Sequence, residues 1–147
     1  MADRVKGMAA DEGTRRERPM STRDKALLCA REASQYKALD PVLLDVTGLT
    51  SFTDFFLICS GKSSRQVQGL ADNLEASLAD LGIKPLGIEG RNEGHWVLMD
   101  YADVVIHIFY EPVRYFYDLE SLWSDATRVV WSGAAVMGGQ DPDEEAL

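Results

Sequence analysis

The stretch His95-Trp96-Val97-Leu98-Met99-Asp100-Tyr101-Ala102-Asp103-Val104-Val105-Ile106-His107-Ile108-Phe109 decides how the rest of this chain can fold. Two runs of β-branched and aromatic residues flank a short interruption from Asp100 to Asp103, where carboxylates bond readily to nearby backbone amides. That pattern predicts a β-hairpin. Its strands are apolar at consecutive positions rather than alternate ones, as in strands covered on both faces. The remaining segments are therefore expected to supply cover.

The clearest of them runs from Arg65 to Leu81, where Val67, Leu70, Ala71, Leu74, Leu78 and Leu81 recur at three and four residues and form one apolar helical stripe. Ser63 or Ser64 is the expected N-cap, and Gly82 suits the left-handed position after the helix. An earlier helix starts at the capping pair Ser21 and Asp24, carries Leu27, Ala30 and Ser34 at helical spacing, and runs to about Lys37, closed by Asp40-Pro41. Val42 to Val46 and Phe55 to Ser60 predict strands joined by a loop from Thr47 to Thr53. Lys84 to Glu89 predicts a further strand, with Pro85 favouring an edge position, before the turn Gly90-Arg91-Asn92-Glu93-Gly94. After the hairpin, Pro112 is expected to open a helix. Val113 to Trp123 places Tyr115, Phe116, Tyr117, Leu119, Leu122 and Trp123 within eleven residues, more large side chains than one short helix can bury.

This order predicts an α/β domain over residues 21–125, with a mixed five-stranded sheet flanked by helices. Residues 1–20 are polar and of mixed charge and are expected to form a disordered arm. Residues 126–147, rich in Gly, Ala and acidic side chains from Gly133 onward, are expected to form a mostly disordered acidic tail. A chain of 147 residues is long enough for one core. Cys29 and Cys59 stand in a helical and a strand pattern without paired spacing, which fits buried thiols in a reducing compartment. No apolar run approaches the ~20 residues of a membrane span and no charged-then-apolar leader opens the chain, so a cytoplasmic protein is expected.

The net charge of −9 divides into about +1 on residues 1–21, −7 on 22–125 and −3 beyond. A core this acidic is poorly suited to nucleic-acid backbone and better suited to a basic protein partner. Acidity of this kind also serves solubility alone.

Several catalytic chemistries have partial signatures in the chain. Gly61-Lys62-Ser63 follows a strand and precedes a helix, yet Phe56 stands where a phosphate-binding loop needs its first glycine. A metal-dependent nucleotidyl or phosphoryl transferase would draw on Asp45, Asp54, Glu89, Asp100 and Asp103, but no strand carries an Asp-x-Asp pair that would put two carboxylates on one face. The two histidines, His95 and His107, have no cysteine cluster to complete a zinc site. No nucleophile elbow is present. No catalytic, metal or cofactor residue is assigned. What is left is a gathering of aromatic and charged residues on the last strand and helix, the ingredients either of a protein-binding hot spot or of a filled core.

Several spaced motifs, in order, resemble the ribosomal silencing factor family, also called Iojap-like: Thr53-Asp54-Phe55-Phe56-Leu57-Ile58-Cys59-Ser60-Gly61-Lys62-Ser63-Ser64-Arg65-Gln66-Val67, then Gly87-Ile88-Glu89-Gly90, Trp96, Asp100, Asp103 to Phe109, and Tyr117-Asp118-Leu119-Glu120-Ser121-Leu122-Trp123. The resemblance spans about residues 22 to 125. It implies a fold similar to nucleotidyltransferases without their catalytic carboxylates. It also implies binding to the large ribosomal subunit through ribosomal protein fourteen, a steric block to joining of the small subunit, and repression of translation under nutrient limitation. No enzymatic activity, cofactor, membrane contact or direct nucleic-acid specificity is implied; a homodimer is. The residues expected at the partner contact are Trp96, Tyr101, His107, Phe109, Tyr115 and Tyr117, with Asp100, Asp103, Glu111 and Glu120 as acidic contacts. Family members often carry glycine where Ala102 stands, so a hairpin turn that is looser or of another type is expected here.

Overall fold

A computed structural model describes residues 20–131. The arm expected over residues 1–20 and most of the expected tail therefore lie outside the described residues. Ten elements follow in order: α1 (Thr22–Gln35), β1 (Leu39–Asp45), β2 (Phe55–Gly61), α2 (Ser64–Asp80), β3 (Gly87–Glu89), β4 (Trp96–Asp100), β5 (Val104–Tyr110), α3 (Glu111–Tyr117), α4 (Leu119–Leu122) and β6 (Thr127–Val129). The strands form one mixed sheet in the order β3-β4-β5-β2-β1-β6. Only the central pair β2 and β5 is parallel; the other neighbours run antiparallel.

The sheet has six strands, not the expected five. The additional one, Thr127–Val129, falls in the segment expected to be mostly disordered, and it is held by pairing with Leu43, Leu44 and Asp45 of β1. Thr127-Arg128-Val129-Val130-Trp131 carries a short β-branched and aromatic signal of its own, and pairing with a partner more than eighty positions away completes the strand.

Local chemistry sets both long helices. Ser21 Oγ accepts from Asp24 N–H at the start of α1, and Ser63 Oγ accepts from Gln66 N–H at the start of α2. The α2 stripe is buried at Val67, Leu70, Ala71, Leu74 and Leu78, but Leu81 is exposed because the helix has already ended at Asp80. Gly82 adopts the expected left-handed conformation with a φ of 82°. Asp40-Pro41 does not close α1, which ends at Gln35 and is turned by Lys37 at a left-handed φ of 67°; it lies inside β1. The register slips between Leu39 and Val42, and this irregularity accommodates a residue that cannot donate to the ladder. At the far edge, β3 keeps only Gly87–Glu89 of the expected strand. A side chain on Gly90, whose φ is 83°, would collide with the Trp96 carbonyl.

Helices α1 and α2 cover one face. Beneath them Leu43, Leu57, Cys59, Val97, Met99, Tyr101, Val104, Ile106 and Ile108 form the larger core. Burial pushes both thiols up to about 12, which leaves them neutral packing groups. The hairpin is only partly as expected: β5 is covered on both faces, whereas β4 alternates between buried and half-buried positions.

The turn is of another type rather than looser. Ala102 has a φ of 75° and Asp103 N–H donates to the Tyr101 carbonyl at 3.0 Å, the strained form of a γ-turn. Asp100 Oδ1 accepts from Ala102 N–H at 2.8 Å and steadies it. An L side chain is disfavoured at that φ, so Ala102→Gly is expected to raise unfolding stability by about 1 kcal/mol, read as a higher urea midpoint at unchanged slope. An equal or lower midpoint would show that the turn carries no strain.

Candidate functional site

The second sheet face carries the site. Val105, His107 and Phe109 of β5 point onto it, and the register sets Trp96 opposite Phe109 and Leu98 opposite His107. Val42, Leu44, Val46, Ile58 and Phe109 are buried there, with Phe56, Trp96, Val113, Leu119, Trp123 and Ala126 packed around them. Its cover is a broken one: α3 ends at Asp118, which adopts a left-handed φ of 49°, and the chain restarts as the single-turn α4. This short, bent cover leaves part of the face open.

The rings form a strip. Trp96 lies 4.8 Å from Phe109 and 4.9 Å from Tyr117 between centroids, and Phe116 meets Tyr117 edge-on at 5.1 Å. Phe56 contacts His107 at 5.1 Å and Trp123 at 5.2 Å, both edge-to-face. Between β4 and α3 opens an apolar groove of about 370 Å³, lined by His95, Trp96, Pro112, Val113, Phe116 and Tyr117. On the groove wall Phe116 and Tyr117 are 80% and 53% exposed. Exposed rings beside an apolar groove mark a contact site.

The other side of α3 is polar. Asp40, Ser60, Glu111, Arg114, Tyr115, Asp118 and Glu120 line a smaller recess of about 150 Å³. Arg114 is its buried floor. Its Nη1 donates to Ser60 Oγ at 2.7 Å, and its Nε and Nη2 donate to Glu120 Oε2 at 3.2 and 2.7 Å. The guanidinium thus ties α3 and α4 to β2.

His107 is buried, and burial lowers it from its ordinary 6.5 to about 4. Its Nδ1 accepts from Trp96 Nε1–H at 3.1 Å. A depressed histidine value means that the unfolded chain takes up the proton first. The associated stability is therefore full above about pH 6.5 and falls as pH drops toward about 4. His107→Phe is expected to flatten that slope, measured as the difference in urea midpoint between the two proteins across this window. Parallel pH curves would contradict the buried neutral state.

The residues expected at a partner contact divide into two groups. Trp96 and Tyr117 line the groove, with Glu111 and Tyr115 on the other side of α3 and Glu120 of α4 lining the recess there. Asp100, Tyr101 and Asp103 sit at the opposite end of β5, about 20 Å away for a seven-residue strand. Three of the residues expected at the contact are enclosed. Tyr101 is 1% exposed within the α1–α2 core, its hydroxyl unpartnered and pushed up to about 12 by burial. Phe109 and His107 are buried under Trp96 and the α3–α4 cover. Asp103 binds Lys25 Nζ at 2.6 Å and Thr22 Oγ1 at 2.9 Å; burial raises its carboxyl, but these hydrogen bonds prevail and hold it below the usual range. Glu120 is engaged by Arg114.

His95, Pro112, Val113, Phe116 and Arg114 were not expected at the site. The spacing of Pro112 to Phe116 and of Val113 to Tyr117, four residues each, was the available sign that they share one helix face. Of the five carboxylates considered for metal chemistry, three are used locally, Asp45 accepting from Thr47 N–H at 2.9 Å, Asp100 from Ala102 N–H, and Asp103 from Lys25 and Thr22. Among the described residues no three of His, Cys, Asp and Glu gather as metal donors. Among them, too, no helix is long and apolar enough to cross a membrane.

The chain matches a family model described as "Ribosomal silencing factor during starvation" over residues 19–146. It is 39% identical over 114 residues to "Ribosomal silencing factor RsfS" of Halalkalibacterium halodurans, covering 78% of this chain and 97% of the relative. To the protein of the same name in Bacillus subtilis strain 168 it is 39% identical over 99 residues, covering 67% of this chain and 84% of that one. A crystal structure of a protein from Chromobacterium violaceum superposes with a TM-score of 0.69 at 35% identity, covering 71% of this chain and 88% of the other.

Proposed function

Because this chain belongs to the ribosomal silencing factor family, we propose that it docks on the large ribosomal subunit through ribosomal protein fourteen, with the groove and the exposed rings of α3 as its contact face. Bound there, it blocks joining of the small subunit and represses translation when nutrients are scarce. The observation that carries this is the open apolar groove between Trp96 and Tyr117, continuous with the exposed Phe116. Half-buried Trp and Tyr rings beside a recess are the usual anchors of a protein contact.

The mechanism is occupancy. A contact of standard size, roughly 1,200–2,000 Å², is enough for a stable steric block and needs no turnover. The charge of −9 and the carboxylates of Glu111, Asp118 and Asp40 beside the groove favour approach to a basic protein in the cytoplasm and disfavour direct binding to rRNA phosphates. Asp45, Asp100 and Asp103, each bonded to its own surroundings, lend no support to the transferase alternative within a nucleotidyltransferase-like fold.

Sedimentation of the purified protein with isolated large subunits tests the proposal. Comigration that weakens with added salt, followed by loss of joining when small subunits are supplied, is the expected result. The protein sedimented alone reports whether the homodimer forms. Failure to comigrate at low salt, together with nucleotide binding abolished by Asp100→Asn or Asp103→Asn, would replace docking with the transferase reading.

A further inference from the structure

We propose that His107 acts as a positioning residue, its Nδ1 holding the Trp96 indole in the single orientation that shapes the groove. This inference rests on the docking function proposed above but makes its own structural claim.

An indole nitrogen only donates, so the 3.1 Å bond from Trp96 Nε1–H requires that His107 Nδ1 carry no proton. The proton of the neutral ring then sits on Nε2. That atom is enclosed and has no hydrogen-bond partner. A buried donor without a partner costs stability that phenylalanine or leucine would not lose at the same position. Core filling alone gives no reason for an imidazole here, in the middle of β5, between Ile58 of β2 and Leu98 of β4. What the imidazole adds is an acceptor aimed at Trp96.

The rest of the site fits that role. His107 is itself fixed, meeting Phe56 edge-on at 5.1 Å and lying nearly parallel to Phe109, with 13° between ring planes. Trp96 is only half-buried, since one side faces the groove. Packing on Phe109 and Tyr117 sets where its ring lies, but flat apolar contacts resist rotation and sliding weakly. The hydrogen bond fixes the remaining freedom. A groove wall already in its binding orientation loses less entropy when a partner docks.

The test compares wild type, His107→Phe and His107→Asn. Asn can present its side-chain oxygen near the position of Nδ1. In the indole N–H region of a proton–nitrogen spectrum, with the Trp96 signal assigned through Trp96→Phe, His107→Phe is expected to shift that signal and speed its exchange with solvent. The same variant should stay folded at neutral pH and bind isolated large subunits about tenfold more weakly. His107→Asn should restore the Trp96 signal toward its wild-type position and recover most of the affinity. An unmoved Trp96 signal in His107→Phe, or a moved signal with unchanged affinity, overturns the proposal. Should His107→Phe fail to fold, Trp96→Phe decides: it removes the donor and keeps a ring, and wild-type affinity in that variant overturns the proposal equally. If wild type does not bind subunits at all, docking fails, while the indole signal still reports whether His107 orients Trp96.

Discussion

Arg114→Met is expected to lower unfolding stability by about 3 kcal/mol and the melting temperature by roughly 10 °C. Arg114 is 6% exposed and joins three elements. Its side chain reaches Ser60 Oγ on β2, the Leu39 carbonyl at 3.4 Å on β1, and Glu120 through two nitrogens. Methionine fills much of the volume but leaves Ser60 and the Glu120 carboxylate without their donor. The lower end of the range for a broken buried pair applies because Glu120 remains one-third open to water. The double variant Arg114→Met with Glu120→Leu should recover part of the loss, since the stranded carboxylate is then gone. Lysine would not substitute, because one ammonium cannot reproduce a fork that engages Ser60 and Glu120 together. A melting temperature within a degree or two of wild type would show that the α3–α4 cover is held by its apolar contacts alone.

The second large effect is on binding. Trp96→Ala should weaken association with large subunits by about 2 kcal/mol, some 30-fold, and so remove comigration at moderate salt. Trp96 contributes one wall of the groove and touches both Phe109 and Tyr117, so truncation also leaves those rings without their neighbour. The matched control is Phe52→Ala. Phe52 is 88% exposed, against 80% for Phe116, but it stands in the loop before β2, at the opposite end of that strand from Gly61 and α3. Its loss should leave binding unchanged. Equal effects from both variants would indicate general loss of surface hydrophobicity rather than a defined contact.

Both effects depend on residues that differ in how readable they are. Trp96 stands out in any reading of the hairpin. Arg114 does not: flanked by Val113 and Tyr115 in a surface-like helix, it has the appearance of a solvated cation, and its burial depends on Ser60 and Leu39, which lie 54 and 75 positions away. Asp103 is hidden in the same way. It reads as a turn carboxylate open to a partner, but Lys25 and Thr22 of α1, brought against the turn by the fold, hold it.

What the sequence by itself determined is the set of local elements and their apolar faces. The helical stripe of α2, the caps at Ser21 and Ser63, the left-handed Gly82, the edge position beside Pro85 and the crowding of rings after Pro112 all follow from interactions within a few residues. The tertiary structure alone decided which faces meet. It enclosed Tyr101, His107 and Phe109, added Thr127–Val129 to the sheet, broke the last helix at Asp118, and set Pro112, Val113, Phe116 and Tyr117 opposite Trp96 to make the groove. Periodicity states that a residue lies on one side of its element. Whether that side ends in core, cover or open groove depends on distant partners, which local pattern does not encode.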